Sequence, residues 1–440
     1  MIQRKRKEVC NMKETKEMRE FLDSYRLLGE EKVSNNTRIT GCNNIDLIIG
    51  SSGSGKSGGY VGPNILVSQE SLLITDPKGI LFRQYGKVLR ERGFRVHEIN
   101  MRDPSVGSGY DPLHYVRFDK RTGRYNEQDI VRIATMLSPD STSKDPFWER
   151  TTQIVLECLI SYTLEELDEP ERNLASVADL FRMCRVQNRS IRFLEEYAVK
   201  HPDSYTANKY AFMKNGFEAD KTWSCTQTFL ATALDKYDFG SIRLMLPRKP
   251  DFRFEDLGRR KTAVFINTSD TDTSLDSITS LLYTQCIHAL CQEADAQPDG
   301  RLRVPCRLML DDFAASAAYI PEFDKLVSVL RSREISISCI LQSLSQLSAA
   351  YGADRSSTIL NNADHILFMG CSDIATVDYI SKRVCTTPEK VMTLENDKAF
   401  YLARGERGRK IRKIKPYSMT AGLIYEQESR DHTAILPESA

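Results

Sequence analysis

The run Gly50-Ser51-Ser52-Gly53-Ser54-Gly55-Lys56-Ser57 has the residue types and spacing to hold a phosphate chain. Glycines let successive backbone N–H groups converge on phosphate oxygens, and the helix that follows such a loop adds partial positive charge from its N-terminus. In this pattern Lys56 reaches the β and γ phosphates of ATP. The Ser57 hydroxyl ligates Mg²⁺, a cation that takes oxygen ligands and keeps several waters. Average residue usage places such a string in roughly one or two per cent of chains this long, so its surroundings must support it. Ile45-Asp46-Leu47-Ile48-Ile49 does so: a mostly apolar run that stops at glycine reads as a buried parallel strand feeding the loop.

A phosphate loop needs an acidic partner at the end of another strand. Arg307-Leu308-Met309-Leu310-Asp311-Asp312-Phe313 offers two carboxylates there. Asp311 is placed to hold the metal through water, and Asp312 to orient or activate the attacking water, work usually given to glutamate. Aspartate is one methylene shorter, so hydrolysis is expected to be slow unless the loop moves inward. Asp76 is a rival metal carboxylate, but Pro77 and Lys78 after it suggest a stiff basic loop. Further on, Arg331-Ser332-Arg333 reads as the end of a helix and Leu341-Gln342-Ser343 as the end of a strand. A guanidinium given to a neighbour's γ-phosphate stabilises transition-state charge, and a glutamine at a strand end can sense that phosphate. A solvated helix C-terminus and a polar strand cap are the competing readings of the two segments.

The elements that must position these groups follow from hydrophobic periodicity. After Ile45–Ile49, a glycine- and proline-containing segment from Ser57 to Ser68 is expected to be a short helix. Strand Ser71-Leu72-Leu73-Ile74-Thr75, helix Ile80 to Arg92 and strand Arg95 to Ile99 complete a β-α-β-α-β opening, which implies an open, mainly parallel sheet. From about Asn126 to Tyr237 helical periodicity dominates, as in Ile130, Ile133, Ala134 and Leu137. Strands resume at Ala263–Ile266, Arg307–Leu310, Ile335–Ile340 and His365–Met369, and the chain closes on a glycine-turn hairpin around Gly405 and Gly408. The expected division is an N-terminal tail or helix over 1–36, a nucleotide-binding domain in two parts, 37–118 and 251–417, an all-α domain over 119–250 between them, and a C-terminal tail over 418–440.

Composition limits the alternatives. A chain of 440 residues exceeds what one core usually serves, and 41% hydrophobic with 28% charged residues is ordinary for a globular protein. A net charge of +1 predicts no global attraction to nucleic acid or membrane, so any basic surface is local. The densest basic cluster outside the N-terminal tail is Arg409-Lys410-Ile411-Arg412-Lys413, which also fits a solvated hairpin. The start, Met1 to Lys7, reads as a solvated basic tail. Eleven cysteines without zinc-ligand spacing fit a reducing cytoplasm, and no stretch approaches the roughly 20 apolar residues that span a bilayer.

Several blocks together carry a resemblance. They are the loop with its tail Gly62-Pro63-Asn64, Asp76-Pro77-Lys78-Gly79, Tyr110-Asp111-Pro112-Leu113, Asp145-Pro146-Phe147-Trp148-Glu149, Leu310-Asp311-Asp312-Phe313, Arg331-Ser332-Arg333, Leu341-Gln342 with Gln346-Leu347, and Asn361-Asn362-Ala363-Asp364. In this order the chain resembles the coupling ATPases of type IV secretion systems, the TraG/TraD group that feeds DNA and relaxase into conjugation channels. The resemblance implies a RecA-like P-loop NTPase interrupted by an all-α domain, with six subunits around a central channel. It implies that Arg331 acts across the subunit boundary and that Gln342 links the ATP state to the channel lining. The implied partners are single-stranded DNA, relaxase or protein effectors, the secretion channel, and a separate membrane subunit. The implied location is cytoplasmic, or peripheral at the inner face of the cell membrane. Three departures stand out: Asp312 where glutamate is usual, Ile80 where an acidic residue is common, and no membrane-spanning N-terminal segment.

Two other functions compete with an ATP-driven motor. One is a double-stranded DNA translocase of FtsK/HerA type, against which the D-P-F-W-E block argues. The other is a weakly catalytic nucleotide-binding adaptor that presents effectors to a channel.

Overall fold

The computed structural model describes residues 23–138, 147–185, 191–217, 220–235, 237–238, 240–269, 271–314, 319–415 and 418. The basic start at 1–7, Asp145-Pro146 of the D-P-F-W-E block and the tail at 419–440 lie outside them. In chain order the strands are β1 (Tyr25–Leu28), β2 (Glu31–Ser34), β3 (Ile45–Ile49), β4 (Ser71–Thr75), β5 (Arg95–Asn100), β6 (Phe118–Asp119), β7 (Arg124–Tyr125), β8 (Thr262–Asn267), β9 (Cys306–Leu310), β10 (Ile335–Leu341), β11 (His365–Phe368), β12 (Lys398–Ala403) and β13 (Arg409–Arg412). The chain divides into two compact units, one of Met1–Glu98, Arg253–Asp270 and Cys286–Ala440, the other of Ile99–Phe252 and Thr271–Gln285.

The first unit is built on a nine-stranded sheet ordered β13-β12-β11-β3-β10-β9-β4-β8-β5. From β11 to β8 every pairing is parallel, while β12 and β13 add to one edge antiparallel. Strands β3, β4, β8, β9, β10 and β11 are buried at every residue, which is why they read as continuous rather than alternating apolar runs. The spatial order is not the chain order. β10 lies between β3 and β9, so the strand that feeds the loop and the strand that ends in two aspartates flank a third.

A buried ionic network runs through this sheet. Arg26 Nε donates to both oxygens of Asp46 at 2.9 and 2.8 Å, and Arg307 Nη1 donates to Asp46 Oδ2 at 3.0 Å. Arg307 Nε donates to Glu70 at 2.7 Å, and the Tyr60 hydroxyl donates to Asp46 at 3.1 Å. Burial pushes the Asp46 carboxyl up, but the two guanidinium groups outweigh burial and hold it below the ordinary aspartate range.

Residues 25–34, expected to belong to a tail or helix, instead form the β1–β2 hairpin. Two partners far along the chain hold it. Asp46 takes Arg26, and the Asn64 side-chain amide mimics a strand: its oxygen accepts from Leu27 N–H and its nitrogen donates to Leu27 C=O, both at 2.8 Å. That pairing gives the Gly62-Pro63-Asn64 block a structural role. The segment it belongs to is helical throughout, a π-turn at Ser57–Val61 continuing as helix Gly62–Val67. Its glycines permit close packing rather than limiting the helix. A Cβ on Gly62 would stand 2.2 Å from the Tyr85 hydroxyl, and one on Gly59 would stand 2.9 Å from the Ile414 carbonyl. Tertiary contact overrides the poor local propensity.

The second unit is helical, with the small hairpin β6–β7 as its only paired strands among the described residues. Its central helix, Phe147–Glu166, packs Trp148 in a stack on Phe229 with centroids 6.3 Å apart. The unit reaches further than the periodic helical region because Tyr110-Asp111-Pro112-Leu113 is part of its core. Asp111 accepts from Leu113 N–H at 2.7 Å and from Leu174 N–H at 2.8 Å, so it caps both the short 3₁₀ helix Pro112–Tyr115 and the start of helix Leu174–Arg185. The Tyr110 hydroxyl donates to Gln285 at 2.7 Å.

Full burial pushes the Asp111 carboxyl up to about 7, against the two N–H donors. The folded chain therefore retains a proton that the unfolded chain has lost by about pH 4. Stability from this group is complete below that pH and is lost as pH rises through about 7. Compared with Asp111→Asn, the native chain should lose on the order of 2 kcal/mol of unfolding free energy between pH 5 and pH 8, measured by urea titration. Parallel pH profiles for the two proteins would contradict this.

Candidate active site

The loop leaves the C-terminal end of β3 strapped between its neighbours. Gly50 N–H donates to Leu341 C=O at 3.0 Å at the end of β10, and Ser51 N–H donates to Gly370 C=O at 2.9 Å just past β11. Gly53 and Gly55 adopt φ of +78° and +92°, left-handed values that side chains other than glycine rarely take. They turn the loop over the helix that begins at Ser57. Lys56 is largely buried, its ammonium donating to Gly50 C=O at 2.6 Å and Ser51 C=O at 3.1 Å. Burial holds this ammonium below the ordinary lysine range, with Asp311 and Asp312 opposing.

The Ser57 hydroxyl donates to Asp311 Oδ2 at 3.2 Å, so the two residues expected to share a metal are in contact across β10. Burial, and secondly the Asp312 charge, push the Asp311 carboxyl up to about 6. A buried carboxylate beside a hydroxyl, on a loop that gathers anions, is chemically suited to an oxygen-preferring divalent cation, which would relieve its desolvation. Asp312 follows with φ +49° and Ala314 with φ +69°, two left-handed non-glycine residues in one turn. Such strain persists where the surroundings fix it, commonly at functional sites. Gln342, at the end of β10, donates from Nε2 to Asp312 Oδ1 at 3.4 Å, and Gln346 Oε1 accepts from its backbone N–H at 3.1 Å. Thus Lys56, Ser57, Asp311, Asp312 and Gln342 gather at the C-terminal ends of β3, β9 and β10.

Arg331 is not among them. It does not end a helix but opens a separate 3₁₀ turn, Arg331–Arg333, closed by Glu334 at φ +59° and leading into β10. The seven residues of β10, at about 3.3 Å each, place it roughly 20 Å from the phosphate-loop end of the sheet. There it donates to Gly41 C=O at 2.8 Å, while Arg333 is held by Asp295 at 2.9 and 3.1 Å. Asp76 is occupied as well: its two oxygens accept from Ile80 N–H at 3.0 Å and Phe82 N–H at 2.9 Å. It caps helix Ile80–Glu91, which gives the D-P-K-G block a structural purpose.

Sequence reasoning placed Lys413 in a basic cluster and gave it no place at the loop. Its ammonium donates to Met369 C=O at 2.6 Å and to Ser54 C=O, inside the loop, at 3.2 Å. Strand alternation was the available signal, because Lys413 falls two residues after Ile411, which is buried. Beside the loop, Lys413 helps to line a cleft of about 780 Å³.

A family model described as Type IV secretory system Conjugative DNA transfer matches residues 15–388. The chain is 21% identical over 403 residues to the protein VirD4 of Rhizobium rhizogenes, covering 84% of this chain and 58% of that protein. It is 23% identical over 355 residues to the conjugal transfer protein TraG of Escherichia coli, covering 76% of this chain and 54% of that one. The chain thus spans a little over half the length of these relatives. Among solved structures, the plasmid coupling protein TrwB in complex with ADP and Mg²⁺ matches with a TM-score of 0.60 at 16% identity, covering 84% of this chain and 86% of that one. This likeness shows the fold to be RecA-like. With the family model matching most of its length, the chain belongs to the type IV secretory system conjugative DNA transfer family.

Proposed function

We propose that the chain is an ATP-hydrolysing coupling subunit that drives or gates the transfer of DNA, or of protein substrates, into a type IV secretion channel. The observation that carries this reading is the Ser57–Asp311 contact, with Gln342 reaching Asp312 beside it. The loop N–H groups and Lys56 would bind the phosphates. Ser57 and Asp311 would hold Mg²⁺, which neutralises developing charge between phosphates when bound. Asp312 would orient the attacking water, and Gln342 would report the state of the γ-phosphate to the rest of β10. The structural neighbour TrwB was solved in complex with ADP and Mg²⁺, which supports the same ligands here.

The position of Arg331 supports assembly into a homo-oligomer, taken as a hexamer. An exposed guanidinium roughly 20 Å from its own loop is useful to chemistry only at a neighbour's. Mixing Arg331→Ala with Lys56→Ala subunits should then restore some ATP turnover, since one site in the mixture keeps both an intact loop and an intact partner arginine. Assembled mixtures with no recovery would remove the trans role. Single-stranded DNA and relaxase or effector proteins are the proposed substrates, and stimulation of ATP turnover by single-stranded DNA is the direct test. If DNA gives no stimulation and the native rate equals that of Lys56→Ala, a nucleotide-binding adaptor replaces the motor. The transfer role itself would place the chain at the cytoplasmic face with its channel partners; among the described residues no helix is long and apolar enough to cross a membrane.

A further inference from the structure

The end of the β12–β13 hairpin reaches the phosphate loop, and it brings a cation there. Lys413 is half-buried, and among the described residues its ammonium has two acceptors, Ser54 C=O and Met369 C=O, and no carboxylate within ion-pair distance. Asp397 is close by, its backbone carbonyl accepting from Lys413 N–H at 2.8 Å. Its carboxylate lies 3.6 Å from Lys398 instead. Burial holds the Lys413 ammonium below the ordinary lysine range, with the Asp397 charge opposing. A half-buried ammonium held by carbonyls, with the nearby Asp397 carboxylate engaged by Lys398, is suited to take an anionic partner. An ammonium has three donors, and the third has no acceptor among the described residues.

This cation borders the cleft beside the loop. The cleft's volume, about 780 Å³, suits a small ligand. Its walls combine loop residues with Met369, Met392, Leu394 and Ile414, apolar side chains that can cover the faces of a base, while Ser372 and Asn396 supply hydrogen-bonding edges. Gly59 lets the chain after β13 come this close, since a Cβ there would stand 2.9 Å from Ile414 C=O. We propose that Lys413 is a second phosphate-binding lysine, contacting the phosphates of a nucleoside di- or triphosphate whose nucleoside lies in this cleft. The proposal rests on nucleotide binding at the loop. It adds that the β12–β13 hairpin belongs to the site and moves its lysine from loop carbonyls to phosphate when nucleotide binds.

Equilibrium binding of ADP and of adenosine to the native chain, Lys413→Met, Lys413→Arg and Lys56→Ala tests this. Lys413→Met should weaken ADP about 10- to 100-fold, the worth of one charged hydrogen bond, and leave adenosine within about twofold. Lys413→Arg should recover part of the loss. Lys413→Met should keep a cooperative melting transition without nucleotide, so that a loss of ADP binding is not a loss of fold. If Lys56→Ala loses ADP while Lys413→Met keeps it, Lys413 is only a tether and the proposal falls. If neither variant loses ADP, the loop reading falls with it. In the native chain ADP should also protect both Lys56 and Lys413 from reductive methylation, read by peptide mass. Protection of Lys56 alone overturns the proposal even should a variant fail to fold.

Discussion

Arg307→Ala is expected to destabilise the first unit by about 3–5 kcal/mol, one of the largest effects available from a single substitution. The guanidinium is 1% exposed and bridges Asp46 on β3 to Glu70 just before β4. Removing it leaves Glu70 buried without its cation, and Asp46 keeps only Arg26. The desolvation cost of the abandoned carboxylates, more than the lost attraction, sets the magnitude. Arg307→Met combined with Glu70→Gln should therefore cost less than Arg307→Ala alone, since it removes a charge from each side. Urea unfolding of the three proteins at pH 7 measures this. A loss below about 1 kcal/mol for Arg307→Ala would mean that water reaches the network.

Lys56→Ala is expected to lower ATP turnover by about 10²- to 10³-fold, the usual loss when a preorganised charge is removed from a developing anion. Asp312→Ala should lower turnover while leaving ADP binding near the native level, because among the described residues its side chain hydrogen-bonds to Gln342 and it acts on the loop only through its charge on Lys56. The two variants thus separate phosphate binding from water activation. Steady-state turnover alongside ADP titration gives both quantities. Equal losses of ADP affinity in the two variants would remove the division of labour between Lys56 and Asp312.

The strands of the main sheet were readable one by one because parallel strands covered on both faces are apolar at nearly every position. Their order was not. Nothing local in Ile335–Leu341 says that it inserts between β3 and β9, yet that insertion is what sets Gln342 beside Asp312. The β1–β2 hairpin was hidden for a related reason. Arg26 looks like a surface residue until Asp46 and Asn44 are known to surround it, and Asn64 looks like a helix residue until Leu27 lies against it. The loop motif exposed Lys56 and Ser57 through residue type alone. Lys413 carries no motif, and its place depends on a hairpin folding back across more than 350 residues of chain to Ser54. Arg331 was singled out by type, but only the direction of β10 puts it at the far end from its own loop.

The antiparallel pair β12–β13 at the edge of the sheet has a consequence for how copies of this chain can meet. A bare parallel edge beside β11 would expose a row of unpaired N–H and C=O groups that another sheet can join. Here β13 is only four residues long and carries Arg409, Lys410 and Arg412. The turn after β1 takes one of its free acceptors, Glu30 N–H donating to Arg412 C=O at 3.0 Å. Arg409 is further held by Glu31 at 3.1 Å. Short, charged and partly capped, this edge resists strand addition. In the proposed assembly, copies meeting at this edge would therefore contact one another through side chains rather than by continuing the sheet, which would keep the contact reversible and guard it against fibrous aggregation.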